Sequence, residues 1–364
     1  MPKVQDKLRS LMQKFNVYGD FLVGVPFGNG HVNDTFRITY DQGGVRLNYV
    51  LQRINKEVFK EPEKVMENID RVTAHILKKI RAAKMETRKR TVRLLRTPDD
   101  KPYAVDDDGN YWRVYIFVER ARAYDVLETP EQAFGIAKAF GEFQQQLTDI
   151  PGGRLHETIP DFHNTPQRIQ QLKDAIARDP LGRAGEVQKE IDFVLEREEE
   201  AGILVRLNAS GDIPERITHN DTKSNNILID DLSGEGICVI DLDTVMPGLS
   251  LYDFGDMVRT CTSPAEEDEL DLRKVYMRFE MYDALFAGFC EAAGSFMTPA
   301  EKEHLATSGK IITLEIGTRF LADYINGDTY FKIKRPQHNL ERCRAQFQLV
   351  RSIESQMNDM MKLL

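Results

Sequence analysis

Within one short window, Thr218-His219-Asn220-Asp221-Thr222-Lys223-Ser224-Asn225-Asn226 offers three chemical groups. They are a carboxylate that can take a proton, an ammonium that can offset anionic charge, and an amide oxygen that can bind a hard cation. Further on, Asp241 in Ile237-Cys238-Val239-Ile240-Asp241-Leu242-Asp243 adds a second oxygen ligand. A divalent cation such as Mg2+ wants oxygen donors at near-octahedral geometry, which an amide and a carboxylate beside nucleotide phosphates supply. These residue types suit phosphoryl transfer to a hydroxyl. Asp221 would receive or orient the hydroxyl proton and Lys223 would face the transferring phosphoryl group, while Asn226 and Asp241 would hold the metal.

The placement of these residues follows from the runs around them. Ile227 to Ile229 and Ile237 to Ile240 are short and apolar, and the turn-rich link Asp230-Asp231-Leu232-Ser233-Gly234-Glu235-Gly236 predicts an antiparallel hairpin between them. Pairing 229 with 238 and 227 with 240 sets Asn226 opposite Asp241 at the open end. Asp221 precedes Asn226 by the spacing of the protein-kinase catalytic loop. The plain alternative is a solvated loop and an ordinary hairpin, since Asn, Asp, Ser and Thr all favour turns. That alternative does not account for a base, a cation and two metal ligands in matched register. Asp253-Phe254-Gly255 spells the protein-kinase metal motif, but the loop Met246-Pro247-Gly248-Leu249-Ser250-Leu251 carries it away from the hairpin end. Asp253 and Asp256 therefore read as helix-start or loop-bracing residues.

At 364 residues the chain is long for one core, which predicts two lobes. The formal net charge of −9 disfavours nonspecific binding to nucleic acid or an anionic membrane. Cys238, Cys261, Cys290 and Cys343 are widely spaced, which argues against a disulfide scaffold or a zinc site. With no signal-like N-terminus and no apolar run of spanning length, the expectation is a soluble cytoplasmic protein, read as a monomer.

The predicted class is α+β, a small β-rich N-lobe with one main helix over 1–120 and a larger, mainly helical C-lobe over 121–364. Phe21 to Pro26, Thr35 to Tyr40, Val45 to Arg53, Thr91 to Leu95 and Tyr111 to Val118 read as strands. Asp108-Gly109 marks a hairpin. Val65, Ile69, Val72, Ile76 and Ile80 recur at helical spacing and predict a helix over Pro62 to Ala82. Helices are then expected over Pro130 to Leu147, Gln167 to Ala177, Glu186 to Arg206, Asp268 to Ala293, Pro299 to Tyr324 and Asn339 to Lys362. The boundary stretch Phe117 to Ala121 could offer backbone groups to an adenine edge.

In the first lobe, Phe27-Gly28-Asn29-Gly30-His31-Val32-Asn33-Asp34-Thr35 lies between two predicted strands. Gly28 and Gly30 there would let backbone N–H groups approach phosphates, although Gly-Asn-Gly is also a plain hairpin turn. Protein kinases use a strand lysine paired with a helix glutamate. Here the strand Tyr49-Val50-Leu51-Gln52-Arg53-Ile54 offers Arg53, which has two equal readings: a partner for Glu67 on the following helix, or an exposed strand arginine.

With these residues in view, the chain resembles the aminoglycoside phosphotransferase and choline kinase superfamily, of protein-kinase-like fold. Its nearer likeness is to bacterial N-acetylhexosamine 1-kinases. The likeness covers nearly the whole chain. It rests on Gly28 to Thr35, on Val50-Leu51-Gln52-Arg53-Ile54-Asn55 with Val65-Met66-Glu67-Asn68-Ile69, and on His219-Asn220-Asp221-Thr222-Lys223. Asp241 to Gly248, Arg319 to Tyr324 and Gly327-Asp328-Thr329-Tyr330-Phe331 complete it. The superfamily implies ATP, magnesium and a small-molecule hydroxyl acceptor. The nearer family implies phosphorylation of the anomeric hydroxyl of N-acetylglucosamine or N-acetylgalactosamine. By that resemblance Asp221 is the base or positioning residue, and Asn226 and Asp241 hold the metal. Arg319 and Tyr330 hydrogen-bond the sugar, and His31 and Asp34 meet substrate beside the glycine loop. The strand cation departs from the superfamily's usual lysine, and Asn220 replaces its common glycine.

The residues themselves favour a neutral polyhydroxyl acceptor. A polycationic aminoglycoside calls for an acidic patch, whereas Glu266-Glu267-Asp268-Glu269 reads as a solvated helix start. Choline calls for an aromatic cage, which Arg319 and Lys332 beside Tyr324, Tyr330 and Phe331 would oppose. Another small-molecule kinase of the superfamily is the near alternative, and a non-catalytic nucleotide-binding regulator the far one. A protein kinase is disfavoured because no Ala-Pro-Glu end follows Asp241.

Overall fold

The computed structural model describes residues 2–28, 32–87 and 89–364, which divide into two compact units. One unit comprises Met1–Ala121, Ile150–Ile159 and Ile237–Val245; the other comprises Arg122–Asp149, Pro160–Gly236 and Met246–Leu364. The class is α+β, with a β-rich first unit and a helical second one.

The first unit runs α1 (Pro2–Met12), β1 (Asp20–Pro26), β2 (Asp34–Gln42), β3 (Val45–Arg53), α2 (Pro62–Ala82), β4 (Ala104–Val105) and β5 (Tyr111–Ile116). Its strands form one antiparallel sheet in the order β1-β2-β3-β5-β4. Side chains alternate between the two faces of a strand. Ile38, Tyr40, Tyr49, Leu51, Trp112 and Val114 share one face and bury it against Leu8, Leu11, Met12 and Phe15. The expected hairpin forms with Ala104 opposite Trp112, and α2 takes the bounds its spacing predicts, with Val65, Ile69, Val72, Ile76 and Ile80 all buried. Two expectations change. The helix α1 escapes the sequence reading, and Thr91 to Leu95 reduces to one bridge, Leu94 with Tyr115.

A short strand, β6 (Ala121–Arg122), leads into the helices α3 (Pro130–Leu147), α4 (Thr165–Arg178), α5 (Gln188–Leu195), α6 (Glu198–Ala201) and α7 (Ile203–Ser210). Next come β7 (Arg216–Thr218), β8 (Ile227–Asp230), β9 (Gly236–Val239) and β10 (Met246–Gly248). The helices α8 (Ser250–Cys261), α9 (Phe279–Ala293), α10 (Pro299–Glu303), α11 (Leu305–Ile325) and α12 (His338–Met361) complete the chain. Thr129 and Gln132 form a capping box that starts α3 where expected. The core of the second unit draws Ile169 and Leu172 of α4, Val194 of α5, Leu321 of α11 and Phe347 and Val350 of α12 into one cluster. The helix expected over Glu186 to Arg206 is broken. Arg197 turns aside to a bidentate pair with Glu354, both bonds at 2.9 Å, and the acidic run Glu198 to Glu200 opens a new N-terminus, where helix dipoles favour it. The helix expected from Asp268 begins only at Phe279. The acidic stretch before it is fastened by side chains outside it instead, Glu267 to Arg259 at 3.1 Å and Asp268 to His338 Nε2 at 2.8 Å. Among the described residues, no helix is long and apolar enough to cross a membrane.

Candidate active site

In the second unit, β7 and β10 pair with Thr218 opposite Met246 and Arg216 opposite Gly248. The strand then gives way to Asn220, whose φ of +64° lies in the left-handed region. Glycine or asparagine takes that conformation at least cost, which explains the asparagine here. Gly248 is required alongside, since a Cβ there would meet Thr218 Oγ1 at 2.3 Å and Asn220 Oδ1 at 2.8 Å.

Asp253, in the first turn of α8, braces this bend. Its carboxylate accepts the backbone N–H groups of His219 at 2.9 Å and Asn220 at 2.7 Å, and Gln144 Nε2 at 2.6 Å. Its own carbonyl accepts Thr222 Oγ1 at 2.6 Å. Burial pushes the Asp253 carboxyl above the ordinary range, against the His219 charge and these hydrogen bonds. From the other side His163 places Nε2 2.9 Å from the Asn220 carbonyl and Nδ1 2.8 Å from Glu315 Oε1. Thr165 Oγ1 donates to the second Glu315 oxygen at 2.7 Å. With acceptors on both ring nitrogens, His163 carries both protons. Burial alone would lower its pKa, but Glu315 outweighs burial and the net shift is upward.

Asp221, Lys223 and Asn226 come together on this frame. Lys223 Nζ lies 3.0 Å from Asp221 Oδ2. Asn226 Nδ2 donates to the Asp221 carbonyl at 2.7 Å and to Oδ2 at 3.1 Å. Burial would raise the Asp221 pKa, yet Lys223, His219 and Arg259 outweigh it and hold the carboxyl below the usual range. An ionised carboxylate, half-buried and steadied by an ammonium and an amide, can orient a hydroxyl and accept its proton. Since the Asn226 amide hydrogens turn to Asp221, its Oδ1 faces elsewhere as an oxygen donor of the kind that could hold magnesium.

Arg319 and Tyr330 also meet. The guanidinium of Arg319, one turn beyond Glu315 on α11, lies 5.5 Å from the Phe162 ring centre, 5.8 Å from that of Tyr330 and 5.6 Å from that of Phe331. Asp323 builds the loop that presents Tyr330. Its carboxylate accepts the N–H groups of Thr329, Tyr330 and Phe331, each at 2.9 Å, and Asn339 Nδ2 at 2.9 Å. Asp328 is anchored by Arg183 at 2.7 Å.

In the first unit, Gly28 adopts a φ of +80° at the mouth of the glycine loop, and Gly30 and His31 lie outside the described residues. Arg53 pairs with Asp34, its direct partner across β2 and β3. Glu67 pairs with His156 Nε2 at 2.9 Å. Of the two readings of Arg53, the pairing with Glu67 does not form and the exposed strand arginine does. Strand alternation is the reason, because Arg53 shares a face with Leu51 and lines a recess with Leu8 and Leu11 of α1. Asp241 adopts a φ of +58° directly before a 3-10 turn over Leu242–Thr244. Behind it, Asp243 forms a buried ion pair with Arg113 of β5. Sequence reading missed Arg113, His163, Glu315 and Asp323. Arg113 had a signal, as a charge inside an otherwise apolar strand, where arginine is rarely buried unpaired.

The Phosphotransferase enzyme family (APH) matches residues 23–285. Among solved structures, an aminoglycoside phosphotransferase from Alicyclobacillus acidocaldarius is similar over 98% of this chain and 95% of that chain, at 14% identity and a TM-score of 0.61. A microcompartment-associated aminopropanol kinase is similar over 98% of both chains, at 13% identity and a TM-score of 0.59. A choline kinase from Cryptosporidium parvum covers 97% of this chain and 96% of its own, at 11% identity and a TM-score of 0.55. At these identities the likeness is one of fold. The family match, by contrast, runs from β1 through the Asp221 loop into α9, well over half of the chain, and on that match the protein belongs to the phosphotransferase enzyme family.

Proposed function

We propose that this phosphotransferase moves the γ-phosphoryl group of ATP to the anomeric hydroxyl of an N-acetylhexosamine, giving the sugar 1-phosphate, and works as a monomer. The observation that carries the phosphoryl-transfer half is the ionised Asp221 carboxylate, set between Lys223 and Asn226 on a loop braced by Asp253 and His163. Asp221 orients the acceptor hydroxyl and takes its proton as the new P–O bond forms. Because the transition state is loose, orientation counts for as much as basicity. Lys223 turns its charge toward the transferring phosphoryl oxygens. Asn226 and Asp241 are the residues that would hold Mg2+, which supplies charge neutralisation at the phosphates when bound. Gly28 and Gly30 are assigned to the phosphates by their place in the glycine loop.

For the acceptor, the support is the Arg319 guanidinium among Phe162, Tyr330 and Phe331. A fixed cation repels choline, an aminoalcohol or an aminoglycoside. It suits the carbonyl of an N-acetyl group and sugar hydroxyls, with Tyr330 as an amphipathic platform. His31 and Asp34 are assigned to the same acceptor by resemblance. Glu267, Asp268 and Glu269 of the acidic stretch are engaged by Arg259, His338 and Lys274, which weakens the aminoglycoside reading further.

The test is coupled ADP release with ATP and Mg2+ across N-acetylglucosamine, N-acetylgalactosamine, galactose, choline, aminopropanol and kanamycin, with phosphorus NMR of the product. An anomeric phosphate on an N-acetylated sugar is expected. Turnover confined to choline, aminopropanol or kanamycin would discard the sugar assignment and keep the Asp221 chemistry.

A further inference from the structure

The interior cation of the first unit is not the one its sequence advertises. Arg113 is wholly buried on β5, opposite Gln52 of β3. Both point away from the face that α1 covers, on the side where Arg113 Nη1 meets the Met66 sulfur of α2 at 4.0 Å. Arg113 Nε donates to Gln52 Oε1 at 3.0 Å and Nη1 pairs with Asp243 Oδ1. The other Asp243 oxygen accepts Asn33 Nδ2 at 2.6 Å, and the Asp243 carbonyl accepts Thr158 Oγ1 at 3.0 Å. Asn33 closes the stem of the glycine loop, and its own Oδ1 accepts the Asn55 N–H at 3.0 Å. Asn68 of α2 donates to the Val245 carbonyl at 3.0 Å. The segment from Asp241 to Val245 is thereby fastened from β5, from the glycine-loop stem, from Thr158 and from α2.

We propose that Arg113 is the positioning cation of this enzyme. Through Asp243 it fixes the backbone that presents Asp241, and through Asn33 it ties that backbone to the glycine loop. This rests on the reading of Asp241 as a metal ligand. Two observations favour a positioning role over simple stability. Asp241 is held in a left-handed conformation, which persists only where its surroundings over-determine it. Arg113 Nη2 is buried with no partner among the described residues, so the pair is a poor stabiliser compared with apolar packing.

The experiment is a Mg2+ titration of fluorescent-ADP binding, read by anisotropy, on wild type, Arg113→Lys, the double variant Arg113→Met/Asp243→Asn, and Asp241→Ala. The double variant removes both charges and leaves none unpaired, and circular dichroism reports whether it folds. Its Mg2+ midpoint should rise about tenfold, the low end of what losing a direct outer partner of a metal ligand costs, because Arg113 acts on Asp241 through the Asp243 backbone. The KM for ATP should also rise more than kcat falls. Arg113→Lys should recover part of the shift. A folded double variant with an unchanged midpoint would overturn the inference. Where the double variant does not fold, Asn33→Ala takes its place, since it keeps the ion pair; a raised midpoint is expected and an unchanged one overturns the inference. Asp241→Ala separates the two layers, because an unchanged midpoint there removes the metal-ligand reading and the inference with it.

Discussion

Two arginine–aspartate pairs flank one sheet of the first unit, and they differ in almost everything but chemistry. Arg53 and Asp34 have side chains 44% and 53% exposed, whereas Arg113 and Asp243 have side chains 0% and 4% exposed. In water such a pair contributes about 0–1 kcal/mol, because solvation competes with it. Out of water, loss of one partner strands a charge and costs about 3–5 kcal/mol. The two arginines sit on facing strands, but their side chains leave the sheet in opposite directions. The lesson is that strand parity, rather than a matched letter, decides which cation reaches the interior. The second unit repeats the contrast. His163 and Glu315 are buried and hold backbone, while Lys223 and Asp221 stay half-exposed, where a substrate can meet them.

The largest expected effect on stability is Arg113→Ala, which should lose about 3–5 kcal/mol in denaturant unfolding. A loss under about 1 kcal/mol would place this pair with the exposed one.

Next comes the buried pair of the second unit. His163 has a raised pKa and Glu315 a lowered one. The histidine contribution is full below its unfolded pKa of about 6.5 and fades as pH rises through the raised folded value. The glutamate contribution is full above about 4.3 and fades as pH falls through its lowered folded value. Relative to His163→Gln/Glu315→Gln, the wild-type advantage should be greatest near pH 6, about 2–3 kcal/mol. It should shrink toward alkaline pH, and an advantage that grows there would contradict a protonated His163.

The smallest effect is expected of Arg53→Ala, within about 1 kcal/mol and smaller still at high salt. A salt-independent loss of about 2 kcal/mol or more would erase the distinction between the two faces.

The parts legible in the sequence are those encoded locally. The helix α2 announces itself by Pro62 and by apolar residues at helical spacing, and α3 by Thr129, Pro130 and Gln132. The Asp221 loop is contiguous, so its carboxylate, ammonium and amide can be read in one line. Its supports are not contiguous. Arg113 and Asp243 lie 130 residues apart, and His163 and Glu315 lie 152 apart, so only the folded chain brings them together. The break at Arg197 goes with its pair to Glu354, 157 residues away, and the stretch before α9 with the contact of Asp268 to His338, 70 residues away, which local propensity does not contain. The partner of Arg53 follows from strand alternation, since Arg53 and Gln52 leave the strand on opposite faces and only Gln52 shares the side of Arg113. The choice between two N-acetylhexosamines lies finer still, in the sub-ångström placement of one hydroxyl.

The central claim is that the Asp221 carboxylate orients and deprotonates the acceptor. Its most direct test is Asp221→Asn, with kcat and ADP affinity measured side by side. The account predicts that kcat falls by about 10²–10⁴-fold while ADP still binds. Near-normal turnover in that variant would contradict it.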